Sequence, residues 1–159
     1  MQLRKHRPEF ALYRDKETSE YAFKAQNFVE MSKGFKDMKC FLHRDFKLAA
    51  SLNARGVHLT SEQFDDIKKA KILGLEVIVS THTQEEVLYA EKLGADYVTY
   101  SPIFTTPNKG EPKGVEALEK LLTMTTIKVF ALGGIVNDEQ INAVRKTKAY
   151  GFASIRYFA

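Results

Sequence analysis

The chain has 159 residues, 44% hydrophobic and 28% charged, the profile of a soluble fold with room for one sizeable core. No apolar run approaches the ~20 residues of a membrane span, the N-terminus does not read as a secretory leader, and the single cysteine, Cys40, excludes an internal disulfide and fits a reducing, cytoplasmic setting. Arg4, Lys5 and Arg7 account for three of the net charge of +4, so the rest is nearly neutral, and with no basic stripe interleaved with aromatics neither nucleic acid nor a membrane is expected as a partner.

Strand and helix signals alternate along the chain. "FALYR" (10–14) predicts a strand, and "TSEYAFKAQNFVEMSKG" (18–34) a helix capped by Thr18 or Ser19, with Ala22, Ala25, Phe28 and Val29 on one face and Gly34 as its stop. "KCFLH" (39–43) predicts a strand in which Cys40 is a small buried hydrophobe. "DFKLAASLNA" (45–54) is a helix and "GVHL" (56–59) a strand. "TSEQFDDIKKAKIL" (60–73) opens with Thr60 three residues before Gln63, a capping-box pattern, and stops at Gly74. "LEVIVS" (75–80) is a strand, and "TQEEVLYAEKL" (83–93) a helix that repeats the device with Thr83 and Glu86 and ends at Gly94. "ADYVTY" (95–100), "VEALEKLLT" (115–123) and "IKVFAL" (127–132) read as strand, helix and strand. "NDEQINAVRKT" (137–147) is a helix capped by Asn137, and "YGFASI" (150–155) closes as a strand.

Uninterrupted βα alternation implies parallel strands, and strands apolar at consecutive positions imply burial of both faces. The expected fold is one α/β domain over residues 1–159, a TIM-type (β/α)8 barrel shortened to about seven βα units. An open doubly wound sheet is the alternative, weakened because no G-x-G-x-x-G follows the first strand.

In either fold ligands meet the loops after the strand C-termini. Those loops carry Arg14 and Lys16, then His43, Arg44 and Asp45, then Thr60, Glu62 and Gln63, then Ser80 and His82. Next comes the long segment "SPIFTTPNKGEPKG" (101–114), with Thr105, Thr106, Asn108 and Lys109, followed by Gly133-Gly134 and Arg156. Cationic groups outnumber carboxylates on that rim. Arginine forks match phosphate oxygens in pairs, and a Gly-Gly turn before a helix lets backbone N–H groups approach an anion. The expected ligand is a phosphorylated small molecule. His82 is expected to be structural or a pocket wall, and His58 a packed strand histidine.

"GVHLTSEQ", "VSTHTQEEV", "EKLGADYVTYSPIFTTPNKG" and "VFALGGIVND" resemble, in order and across nearly all the chain, motifs of the thiamine-phosphate synthase and thiazole tautomerase family. The resemblance implies a (β/α)8 barrel. On the synthase branch it implies coupling of hydroxymethylpyrimidine diphosphate to a thiazole phosphate, with pyrophosphate leaving first and Mg²⁺ assisting. It implies pyrophosphate contacts at Thr106, Asn108 and Lys109, at Arg14 and Lys16 in "LYRDK", and at His43 and Arg44. Ser80 and Lys109 fall at catalytic positions, and Gly133, Gly134 and Arg156 at thiazole-phosphate positions. The long loop is then a lid.

The pattern departs from the family at several places. Leu12 stands for a glutamine, His43-Arg44 for the asparagine-aspartate pair, Gln63 for the second acidic metal ligand, Asn108 for a threonine and Arg156 for a serine. With both metal carboxylates replaced, Asp45 and Glu62 are the remaining metal candidates. Pro102 stands where the tautomerase branch has its histidine, so His43 is the replacement base for an isomerase reading. A non-catalytic phosphate binder is the third reading. "FALYR" corresponds to the family's second strand, so one wedge is expected to be missing, with "MQLR" or a second copy covering open edges at 10–14 and 150–155. A homodimer is therefore expected.

Overall fold

Interior strand pairing and helix capping dictate an alternating architecture. The structure, a computed structural model, describes residues 2–158. In chain order the elements are α1 (Gln2–His6), β1 (Phe10–Tyr13), α2 (Tyr21–Ser32), β2 (Lys39–His43), α3 (Phe46–Ser51), β3 (Gly56–Leu59), α4 (Asp66–Ile72), β4 (Glu76–Thr81), α5 (Gln84–Leu93), β5 (Tyr97–Tyr100), α6 (Gly114–Leu122), β6 (Lys128–Leu132), α7 (Asp138–Arg145) and β7 (Gly151–Ala153), with a 3₁₀ turn at Arg156–Phe158. The strand order is β1-β2-β3-β4-β5-β6-β7, the sequential order of a (β/α) barrel shortened to seven strand units. The chain divides into two compact units, Met1–Ile78 and Val79–Ala159.

In the first unit β1, β2 and β3 pair in parallel, with Leu12 opposite Phe41, Phe41 opposite Gly56 and His43 opposite His58. Phe41, Leu42, Val57 and Leu59 are fully buried, as expected for strands covered on both faces. Cys40 is buried too, and burial pushes its thiol pKa up. At the strand N-termini Glu76 accepts from Lys39 Nζ (3.1 Å) and Arg55 Nε (2.8 Å). Burial raises its carboxyl pKa, and hydrogen bonds from Arg55 and Lys39 outweigh that, leaving it below the usual range. Charge pairing at this end of the strands serves stability, since ligands gather at the other.

In the second unit β5–β6 and β6–β7 are parallel, with Thr99 opposite Phe130 and Phe130 opposite Gly151. Caps work as predicted here. Thr83 Oγ1 accepts from Glu86 N (3.1 Å) ahead of α5, and Asn137 Oδ1 from Gln140 N (3.0 Å) ahead of α7. Gly94 ends α5 in the left-handed region at φ 90°.

Several boundaries differ from the sequence reading. Neither Thr18 nor Ser19 caps α2: Thr18 Oγ1 accepts from Glu20 N (3.1 Å) in a preceding turn, and the helix begins at Tyr21. The Thr60–Gln63 pattern closes its own turn, with Gln63 Oε1 accepting from Thr60 N (3.3 Å), and α4 begins only at Asp66. The last strand is three residues, 151–153, and the chain then turns through the 3₁₀ segment. Helix α1 is an addition to the sequence reading; of the "MQLR" segment, Met1 lies outside the described residues.

Gly56 carries a steric constraint. A Cβ there would collide with the Glu76 carbonyl oxygen and with the Phe41 ring, Cδ1 at 2.8 Å. Gly56→Ala is expected to cost about 2–3 kcal/mol by overpacking, read as a lower urea midpoint; an unchanged midpoint would contradict the packing described.

Candidate functional site

The C-terminal ends of β1, β2 and β3 bring two histidines together. Because β2 and β3 pair His43 with His58, side chains of like parity share a face, and the rings stack with centroids 5.2 Å apart and Nδ1 atoms 3.0 Å apart. Both residues are buried, at 6% and 7% exposure. One Nδ1 must donate and the other accept. Tyr21 holds the strand end from α2: its hydroxyl donates to the Tyr13 and His43 carbonyls (3.2 Å each), while the His43 N–H donates to that oxygen (3.0 Å). The Nε2 atom of His43 is buried with no hydrogen-bond partner.

Arg44 turns the chain at φ 67°. Its N–H donates to the His58 carbonyl (2.9 Å), and its own carbonyl accepts from Gln63 Nε2 (3.2 Å). Asp45 follows as the cap of α3, Oδ1 accepting from Leu48 N (2.9 Å). Arg14, Lys16, Arg44, Asp45 and Glu62 are exposed. Burial, then the charges of Arg14, Arg44 and Lys16, push the His43 pKa down to about 4. Burial, then His43 and Arg14, push His58 down to about 3. Both rings are therefore neutral near pH 7, inside a positive field.

This donor set does not suit Mg²⁺, which takes oxygen ligands, carboxylates foremost. Asp45 is engaged in capping α3, and the Gln63 amide oxygen is turned to Thr60. Among the described residues no three His, Cys, Asp or Glu side chains gather for a metal. The expectation that Asp45 or Glu62 would supply replacement ligands finds no support in their placement.

The second unit answers why the loop after β5 is long. Its base is built into the fold: Ile103 N donates to Leu132 O (2.9 Å), Phe104 N to Gly133 O (3.0 Å) and Lys113 N to Pro102 O (2.9 Å). Its tip, with Asn108 (φ 59°) and Lys109, is exposed. Thr106 is half-buried, its hydroxyl donating to Phe104 O (3.0 Å). Gly133 and Gly134 lie directly beneath, at φ 99° and 71°. A Cβ at Gly133 would meet Pro102 Cα at 2.8 Å and Thr106 Oγ1 at 3.2 Å, and one at Gly134 would meet Thr105 O at 2.6 Å. The glycines are thus required first by the close approach of the loop.

The remaining candidates are spread over this unit. Ser80 is half-buried within β4. His82 Nδ1 lies 3.2 Å from both the carbonyl and the hydroxyl of Ser101. Arg156 is exposed in the 3₁₀ turn, which is fastened by Ser154: its hydroxyl donates to Ile135 O (2.7 Å) and accepts from Tyr157 N (3.1 Å). The sequence reading missed the partnership of His58 with His43 and the Tyr21 clamp. Only the first left a signal, a histidine at the same parity near the ends of two successive strands.

The sequence profile of a family described as thiamine monophosphate synthase matches residues 2–158. Among named relatives, a thiamine-phosphate synthase of Clostridium acetobutylicum is 37% identical over 112 residues, 68% of this chain and 53% of that one. A thiamine-phosphate synthase of Syntrophomonas wolfei is 35% identical over 113 residues, 68% of this chain and 54% of that one. The solved thiamine phosphate pyrophosphorylase of Pyrococcus furiosus superposes with a TM-score of 0.76 at 30% identity, over 92% of this chain and 71% of that one. The matches span between 53% and 64% of the first curated relatives' length.

The histidine pair makes a pH prediction. Unfolding returns both rings to the ordinary pKa of about 6.5, so the unfolded chain binds more protons below that pH, and stability falls as acid is added. The stabilisation is full above about pH 6.5 and is lost as pH drops towards about 4 and 3. The urea midpoint is expected to fall between about pH 7 and pH 5, and a His43→Asn/His58→Asn double variant to flatten that fall. Equal midpoints for the parent chain at both values would contradict the assignment.

Proposed function

The chain belongs to the thiamine monophosphate synthase family, and on that premise we propose that it couples hydroxymethylpyrimidine diphosphate to a thiazole phosphate in thiamine biosynthesis. The C–O bond between the pyrimidine methylene and the diphosphate breaks, its electron pair leaving with the diphosphate. The thiazole nitrogen then donates its pair to the methylene carbon. The chain's part is to bind, orient and shield the reactants.

The observation that carries this reading is the seating of Thr106 against Gly133. Thr106 holds a family position for diphosphate, and Gly133-Gly134 holds one for the thiazole phosphate. A coupling reaction needs its two phosphorylated halves side by side, and this loop packs on that turn. We assign Thr106, Asn108 and Lys109 to the diphosphate positions of the second unit, Gly133, Gly134 and Arg156 to thiazole phosphate, and Ser80 to the reacting carbon. In the first unit we assign Arg14, Lys16, His43 and Arg44 to diphosphate. Arginine and lysine hold such an anion by forked and point-charge contacts. None of these roles uses a metal ion. The buried single thiol of Cys40 supports a cytoplasmic place of action.

The test is formation of thiamine phosphate from the two phosphorylated halves by protein shown folded by circular dichroism. Product is expected, with Lys109→Ala lowering kcat/KM by about tenfold or more. Folded protein that forms none would contradict the transferase reading, and retained binding of either half would then identify a phosphate-ligand binder.

A further inference from the structure

Two features of the first unit remain after these assignments. One is the orphaned Nε2 of His43, buried on a ring whose other nitrogen is committed to His58. The other is an arginine at the position where the family pattern has an aspartate. A buried polar atom without a partner costs stability, and it calls for an explanation such as a water, an ion or a ligand that completes it.

The surroundings define the ligand's chemistry. Arg14 is one residue beyond β1, so strand parity gives it the face shared by Leu12, Phe41, His43, Gly56 and His58. Arg44 is held in its left-handed turn from both sides, through the His58 carbonyl and the Gln63 amide. Lys16 adds a third cation acting on His43. The carboxylates beside these cations are turned to backbone: Asp15 Oδ1 accepts from Glu17 N and Thr18 N, and Asp45 Oδ1 from Leu48 N. Three cations around a neutral ring call for an anion, and an anion's oxygens accept hydrogen bonds.

We propose that His43 Nε2–H donates directly to an oxygen of a diphosphate group, in a site whose countercharge comes from Arg14, Lys16 and Arg44 in place of a divalent metal. This rests on the transferase reading only for the choice of diphosphate among phosphate anions. It requires the tautomer in which His58 Nδ1–H donates to His43 Nδ1, leaving the proton of His43 on Nε2. His58 is then a positioning residue that selects the tautomer. Arg14, Lys16 and Arg44 are exposed, so their charged heads are open to an anion arriving from solvent, and the proposal requires that anion to reach the buried Nε2 beside them.

The experiment is calorimetric titration of the full chain with inorganic diphosphate, in EDTA and in Mg²⁺. Binding in EDTA is expected, with a Kd within about threefold of that in Mg²⁺. His43→Phe, which keeps a flat ring and removes the donor, is expected to weaken binding by about tenfold. His43→Asn, which keeps a donor, is expected to lose less. Arg44→Asp is expected to abolish binding in EDTA and make it depend on Mg²⁺. Each variant is checked by circular dichroism and urea midpoint. Binding by the parent chain only in Mg²⁺, or a folded His43→Phe protein that binds as the parent does, would overturn the proposal. Metal-free diphosphate binding without thiamine phosphate formation would sink the transferase reading and leave this one standing.

Discussion

The register between β2 and β3 is the constraint on which the first unit depends. Placing Phe41 opposite Gly56 lets the Phe41 ring lie over a position that tolerates no Cβ, and the same register puts His43 opposite His58 two residues later. Because side chains alternate with period two, a slip of one residue would put the two histidines on opposite faces and set a residue with a side chain opposite Phe41 in place of Gly56. The corner at Arg44 follows from that ladder, since its N–H continues the hydrogen bonding to the His58 carbonyl. Ion pairing on Glu76 fastens the opposite ends of the strands, so the histidine end is positioned by a frame fixed elsewhere.

The second unit solves a different problem by close approach of backbone. A loop rich in proline and polar residues would be expensive to order by itself. Here its first turn borrows carbonyls at the end of β6, and its return donates to Pro102. Only the exposed tip, residues 107–111, is left to supply donors. Gly133 and Gly134 make the contact possible, so two glycines that could serve an anion are first a seat for the loop.

The strands were legible because burial on both faces leaves unbroken apolar runs, and "KCFLH" and "GVHL" match β2 and β3 residue for residue. The caps of α5 and α7 were legible because Thr83 and Asn137 act locally. The start of α4 was not, because Gln63 satisfies Thr60 and also reaches Arg44 and Asp66, a tertiary choice that a local pattern does not encode. Within the site the loop, the Gly-Gly turn and the cations could be named from sequence. His58 was read as mere packing, because a cross-strand contact depends on register. The commitment of Asp45 Oδ1 to Leu48 N is visible only in the folded turn.

Membership in the thiamine monophosphate synthase family sets the frame, and the His43-Arg44 corner is where this chain departs from it. The account turns on which nitrogen of His43 carries the proton. Long-range proton–nitrogen correlation NMR of the histidine rings, near neutral pH, reads this directly. The account predicts neutral rings for both His43 and His58, with the His43 proton on Nε2 and its signal moving when diphosphate is added in EDTA. A His43 ring protonated on Nδ1 alone, with Nε2 bare and unmoved by diphosphate, would contradict it.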